Sequence, residues 1–350
     1  MSEPKEISDY LRQTVELGGS DLHLSGWAPP AARVSGSMVP LEDFLFDPET
    51  VASVIDQSLS EKQRADLEEN LELDYALQLE NVGRFRGNVH VVRGHHEAAY
   101  RFIPEEIPEL DNLGHHSTVA DLCNLRRGLI LVTGITGSGK TTTLAAMLRR
   151  ISETRSGVIV TIEDPIEYVF SHNSCLIKQR EVGRDTKGFP IALRQALRQD
   201  PDVVVVSELR DLETIRIALT AAETGHLVLA TLHTVDAPQT IDRLVDVFPP
   251  EQQQQIITQL AGVLEGVISQ RLIPRADGEG RVLASEVMRA THGIRACIRE
   301  RKIEQLVGLM EISSREGNRT IDQSIKVRLQ QGYITLEEAL FHAREPRNFE

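Results

Sequence analysis

Residues 134–141, Gly-Ile-Thr-Gly-Ser-Gly-Lys-Thr, constrain this chain more than any other stretch. They complete the pattern Gly-x-x-x-x-Gly-Lys-[Ser/Thr], with an apolar run (Leu129–Val132) before it and a helical pattern (Thr142–Arg150) after it. A strand, a glycine turn and a helix in that order make a phosphate cradle: the glycines let successive N–H groups point inward, and the helix amino end adds partial positive charge. Gly134, Thr136, Gly137, Ser138, Gly139 and Thr142 are therefore expected to line a nucleotide's phosphates. Lys140 reaches the β- and γ-phosphates, and the Thr141 hydroxyl is expected to ligate Mg²⁺. The implied cofactors are ATP and Mg²⁺.

A phosphate loop needs a parallel sheet around it. Val158–Ile162, Val203–Val206 and Leu227–Leu232 are further short, nearly continuous apolar runs. Such runs suit strands buried on both faces, with ligands taken at their carboxyl ends. The fold class is thus α/β. Residues 250–345 read as mainly helical, closing with a cap at Thr335.

The strand ends supply the chemistry. Glu208 follows Val203–Val206 and is expected to orient or deprotonate the attacking water, with a share in the metal site. Glu163 closes Val158–Ile162 and is expected to hold Mg²⁺ through water; hard cations take oxygen ligands. His226 and His233 bracket Leu227–Leu232, and each is expected to hydrogen-bond the γ-phosphate.

The first third differs. From Met1 to Asn112 acids outnumber bases 22 to 9, whereas residues 113–350 hold 30 acids and 29 bases. A net charge of −14 so distributed speaks for two units and against a nucleic-acid partner. Helical spacing over Glu6–Leu17 and alternation over Leu73–Leu79 and Gly83–Val92 predict a small α+β domain over 1–102, joined by a proline-rich linker, 103–112, to an ATPase domain over 113–350. Between Ala65 and Asn112 the bases are four arginines, Arg84, Arg86, Arg93 and Arg101. Planar guanidinium groups suit phosphate contacts; salt bridges to neighbouring acids are the alternative. No apolar run approaches the ~18 residues a membrane span needs, and the polar start is unlike a signal peptide. Three well-separated cysteines, Cys123, Cys175 and Cys297, fit a reducing cytoplasm better than a disulfide framework.

The glycine loop, the Glu163-Asp164-Pro165 box, Asp200-Pro201-Asp202 with Glu208-Leu209-Arg210-Asp211, and the His226/His233 pair together resemble the secretion-superfamily ATPases, and within them the PilT-like type IV pilus retraction ATPases. Ser20–Leu24, Ile241–Pro249 and Gly293–Glu300 extend the resemblance over nearly the whole chain. It implies a PAS-like amino-terminal domain on a RecA-like core and a homo-hexameric ring. It implies, too, a motor at the cytoplasmic face of the inner membrane, acting through a platform protein on pilin, with a paralogous retraction ATPase as a further partner. It also implies that Arg86 and Arg101 reach the γ-phosphate when the domains close. The chain departs from the family pattern at Ser207, where glycine is usual, at Ile135, often proline, and in Gly-Ile-Arg-Ala-Cys, where Ala-Ile-Arg-Asn-Leu is expected. Rival readings are a pilus-assembly or type II secretion ATPase, and a non-hydrolysing scaffold subunit of a pilus motor.

Overall fold

The computed structural model describes residues 4–34, 36–103 and 106–349; Pro104 and Glu105 of the expected linker lie outside them. The chain divides into two compact units, one of residues 1–106 with 165–169, the other of residues 107–164 with 170–350.

The first unit is an antiparallel sheet with helices on it. Its strands are β1 (Gly19–Leu24), β2 (Ala31–Val34), β3 (Ser37–Pro40), β4 (Glu72–Leu79), β5 (Gly83–Val92) and β6 (His95–Ile103), in the order β3-β2-β1-β6-β5-β4. Along β5 buried and half-buried residues alternate from Gly83 to His90, as a one-face-buried strand requires. Phe85 and Val89 from β5 meet Leu22, Leu24 and Tyr100 on the buried face. Helices Ile7–Glu16 and Pro48–Asp56 close that core with Tyr10, Leu11, Val51 and Ile55. A third helix, Glu61–Asn70, begins in a reciprocal Ser60/Gln63 capping box.

The second unit carries β7 (Gly128–Thr133), β8 (Gly157–Glu163), β9 (Cys175–Glu181), β10 (Val203–Val206), β11 (Leu227–Leu232), β12 (Leu264–Pro274) and β13 (Arg281–Arg289), in the order β13-β12-β7-β11-β10-β8-β9. All neighbours run parallel except β12 and β13. The apolar runs are explained by burial on both faces. Leu129 and Leu131 join Val204 and Val206 in one core layer, whereas Ile130 and Val132 join Val203 and Val205 in the other. Each such side chain contributes roughly 1.5–3 kcal/mol by leaving water. The second layer also takes the inner face of the helix after the glycine loop, Lys140–Thr154, through Leu144, Met147, Leu148 and Ile151.

The expectation of a mainly helical 250–345 needs correction. Helix Pro250–Val263 runs directly into β12, which pairs with β13 in an antiparallel hairpin on the sheet edge. Helices His292–Arg299, Leu306–Ile312, Ile321–Gln330 and Leu336–His342 follow the hairpin, so the helical reading holds for residues 250–263 and beyond residue 291 and fails at the hairpin between them. Among the described residues no helix is long and apolar enough to cross a membrane.

Candidate nucleotide site

Parallel strands bring their carboxyl ends to one edge, and there most of the expected site residues gather. The register pairs Thr133 with Leu232, and Val206 with both Ala230 and Ile162. The glycine loop leaving β7, Glu163 ending β8, Glu208 just past β10 and His233 just past β11 therefore share that edge.

The loop has the backbone of a cradle. Gly134, Gly137 and Gly139 have φ of 145°, 77° and 86°, where side chains are disfavoured. A Cβ on Gly134 would come within 2.5 Å of both the Gln270 carbonyl and the Ser138 hydroxyl. Lys140 Nζ donates to the loop carbonyls of Gly134 (2.8 Å) and Ile135 (3.0 Å), which folds its ammonium back over the turn. Gln270 on β12 donates to the Ser138 carbonyl at 2.7 Å and fixes the loop from behind. The Ser138 hydroxyl is buried with no protein partner, an orphaned donor in the glycine loop, as fits a phosphate oxygen. Thr141, in the first turn of the helix, and the carboxylates on the same edge are hard oxygen ligands of the kind Mg²⁺ takes.

Glu208 is held by two side chains, Arg210 and His233. Its Oε2 accepts from Arg210 at 2.8 Å, and its Oε1 lies 3.3 Å from His233 Nε2. Burial raises its carboxyl pKa, but the Arg210 hydrogen bond and charge, with His233, outweigh that and leave it below the ordinary value. The same pairing raises Arg210. Arg210 also approaches Asp164 at 3.8 Å, so one guanidinium spans two strand ends. Glu163 accepts from the Thr161 hydroxyl at 2.6 Å and from Gln179 at 3.0 Å.

Two placements differ from expectation or add to it. His226 precedes β11, at the amino edge of the sheet, where its Nδ1 lies 3.0 Å from the Ala221 carbonyl. The strand of six residues separates it from His233, so His226 does not share the glycine-loop edge. Arg86 and Arg101 belong to the first unit. Arg101 Nε pairs with Asp21 at 2.9 Å, and Arg86 lies 3.8 Å from Asp74 and 4.0 Å from Glu167. Arg210 and Gln270 are the residues sequence reasoning left without a role. Arg210 lay inside the quoted Glu208–Asp211 motif. Gln270 carried no local signal, because its place depends on β12 lying next to β7.

The sequence pattern of the type II/IV secretion system proteins matches residues 85–341. The Pseudomonas aeruginosa type IV pilus retraction ATPase PilT is 45% identical over 98% of this chain and 100% of its own length. The type IV pilus ATPase PilU of the same organism is 38% identical over 97% of this chain and 88% of its own. A crystal structure of the pilus retraction motor PilT with bound ADP superposes with a TM-score of 0.90 at 48% identity, covering 99% of both chains.

Proposed function

The chain belongs to the type II/IV secretion system protein family, and we propose that within it this protein is the ATP-hydrolysing motor that powers type IV pilus retraction, the motion behind twitching. The observation that carries the reading is the shared edge of the parallel sheet, along which lie both the glycine loop with Lys140 and Thr141 and the Glu208 carboxylate.

The chemistry proposed there is phosphoryl transfer to water. The loop N–H groups and Lys140 bind the β- and γ-phosphates. Glu208 orients a water in line with the γ-phosphorus and takes its proton; the oxygen–phosphorus bond forms as the bond to the β-bridging oxygen breaks, and ADP leaves. Thr141 would be the protein ligand of a Mg²⁺ ion and Glu163 would hold its water shell; the ion would supply positive charge to offset that of the phosphates. His233 contacts the γ-phosphate. Arg86 and Arg101 supply guanidinium charge to it, exchanging their carboxylate partners for phosphate. Loss of the γ-phosphate removes those contacts, and the first unit moves in response. The working assembly is a homo-hexamer at the cytoplasmic face of the inner membrane, coupled to pilin through a platform protein.

Steady-state ATPase activity of the purified protein, beside Glu208→Ala, tests the enzymatic part: turnover in the wild type and loss in the variant are expected. No turnover in either points to the scaffold reading. Expression in a strain lacking its own retraction ATPase tests the task. Restored twitching supports retraction; an active ATPase that restores none assigns the motor to another secretion-family task.

A further inference from the structure

His115 lies outside every motif described above, yet it is half-buried against the helix that begins in the glycine loop. Its Nε2 is 3.0 Å from the Thr143 hydroxyl on that helix, and its Nδ1 is 3.2 Å from the Ser285 hydroxyl on β13. Each hydroxyl can donate or accept, so a neutral ring with one N–H satisfies both. The surroundings keep it neutral: burial, helped by the Arg328 guanidinium, pushes its pKa down to about 4.

Thr143 is buried, whereas Lys140, Thr141 and Thr142 are only partly so. At 3.6 residues per turn, Thr143 and Thr141 point about 200° apart around the helix axis. Pinning the inner hydroxyl therefore sets the angle at which Thr141 and Lys140 face the phosphates. The segment that carries His115 is itself fastened along the same helix. Arg149 donates to the Ile107 carbonyl at 2.6 Å and Arg150 pairs with both oxygens of Asp111 at 2.9 and 3.0 Å, while Arg328, from helix Ile321–Gln330, donates to the Gly114 carbonyl. On its other side, β13 reaches the opposite flank of the site. Glu286, next to Ser285, accepts from the Ala237 N–H at 2.9 Å, at the start of the helix that follows His233.

We propose that His115 is a positioning residue for nucleotide hydrolysis: its imidazole, braced on Ser285 of β13, fixes the rotation of the glycine-loop helix through the Thr143 hydroxyl. This rests on the nucleotide reading of the loop, which Lys140→Ala tests separately. A helix released from the brace still binds the phosphates through the loop but presents Thr141 and Lys140 at a varying angle, so the loss falls on kcat more than on KM.

The test is a set of side chains that keep one bond or the other. Gln matches the reach of Nε2 and retains the Thr143 contact; Asn matches Nδ1 and retains only the Ser285 contact. His115→Gln is expected to keep kcat within about twofold of wild type, whereas His115→Asn and Thr143→Val each lower it about fivefold or more, the scale of one buried hydrogen bond. The His115→Asn/Thr143→Val double variant is expected to lose no more than either alone, because both remove the same contact. Equal activity in the Asn, Gln and wild-type proteins overturns the proposal. So does a parallel loss in Asn and Gln, which marks a ring that only fills space. Should His115→Asn not fold, Thr143→Val carries the same comparison, and its wild-type kcat overturns the proposal. If wild type hydrolyses no ATP and Lys140→Ala changes nothing in nucleotide binding, the nucleotide reading itself fails instead.

Discussion

Glu208 is a carboxylate pulled in two directions, and its charge state decides what it can do. Burial favours the neutral acid, and Arg210 with His233 favours the anion more strongly. The anion is the form that accepts a proton from water. Replacing Glu208 by Gln keeps the shape and removes the base, so ATP binding should persist while turnover drops by about 10²–10⁴-fold. Nucleotide binding followed by a fluorescent ATP analogue, beside phosphate release, separates the two. The Arg210 contact makes a pH prediction. With the guanidinium gone, as in Arg210→Ala, burial is less opposed and the Glu208 pKa rises. The acid limb of the pH–rate profile should then move to higher pH, and a limb unmoved or shifted downward shows that Glu208 is not the titrating base. Lys140→Ala should abolish binding or turnover; equilibrium dialysis with ATP checks it, and an unchanged affinity removes the phosphate-loop assignment.

Elements of the second unit are tied together by charges of very different worth. Arg344, after the last α-helix, pairs with Glu286 of β13 at 3.1 Å and with Asp236 at 3.0 Å, the residue that caps helix Ala237–Asp246. Glu286 is 1% exposed; burial raises its pKa, and Arg344 opposes that. Arg344→Ala strands a buried carboxylate and should cost about 3–5 kcal/mol. Arg150→Ala removes an exposed pair with Asp111 and should cost less than about 1 kcal/mol. Urea unfolding of the two variants gives the ranking, and Arg344→Ala combined with Glu286→Gln should recover part of the loss. The same hairpin shows where reading the sequence ran out. β7, β10 and β11 were legible because they are apolar on both faces and short. β12 and β13 were not, because Ser269, Gln270, Ser285 and Glu286 interrupt them with buried polar groups. Each of those residues finds a partner at long range, in Thr133, the Ser138 carbonyl, His115 and the Ala237 N–H, although Gln270 Oε1 and Glu286 Oε2 accept no hydrogen bond among the described residues. No local pattern announces a partner more than a hundred residues away, as for Ser269 with Thr133 and Gln270 with Ser138. His226 was misplaced for a related reason: flanking a strand says nothing about which of its two ends faces the loop. The glycine loop, Glu208 and His233 were legible because each follows directly on an apolar strand.

At the scale of the whole molecule, the two units should answer acid differently. The first carries most of the excess negative charge, so its self-repulsion eases as pH falls from 7 towards the isoelectric point near 5.3. The second holds His115, whose folded pKa of about 4 lies below the ordinary 6.5. Between those values the unfolded chain takes up a proton that the folded chain refuses. The unfolded state then binds more protons, and stability must fall as pH falls, by about 3 kcal/mol once below both values. His116 and His342 in the second unit, and His23 in the first, are lowered too, each mainly by burial, and add in the same direction. The lowered carboxylates, Glu208 among them, give up their contribution only below their ordinary range, whereas Glu286, raised by burial, works the other way; over the interval from pH 6.5 to 5 the imidazole of His115 is isolated by comparing two proteins that share Glu286. His115→Gln has no such group. Calorimetry across that interval should show the wild-type transition of the second unit falling more steeply with acid than that of His115→Gln, at unchanged ionic strength. Equal slopes in the two proteins would mean that the ring is protonated in the folded state, with water or a local opening reaching it between Thr143 and Ser285.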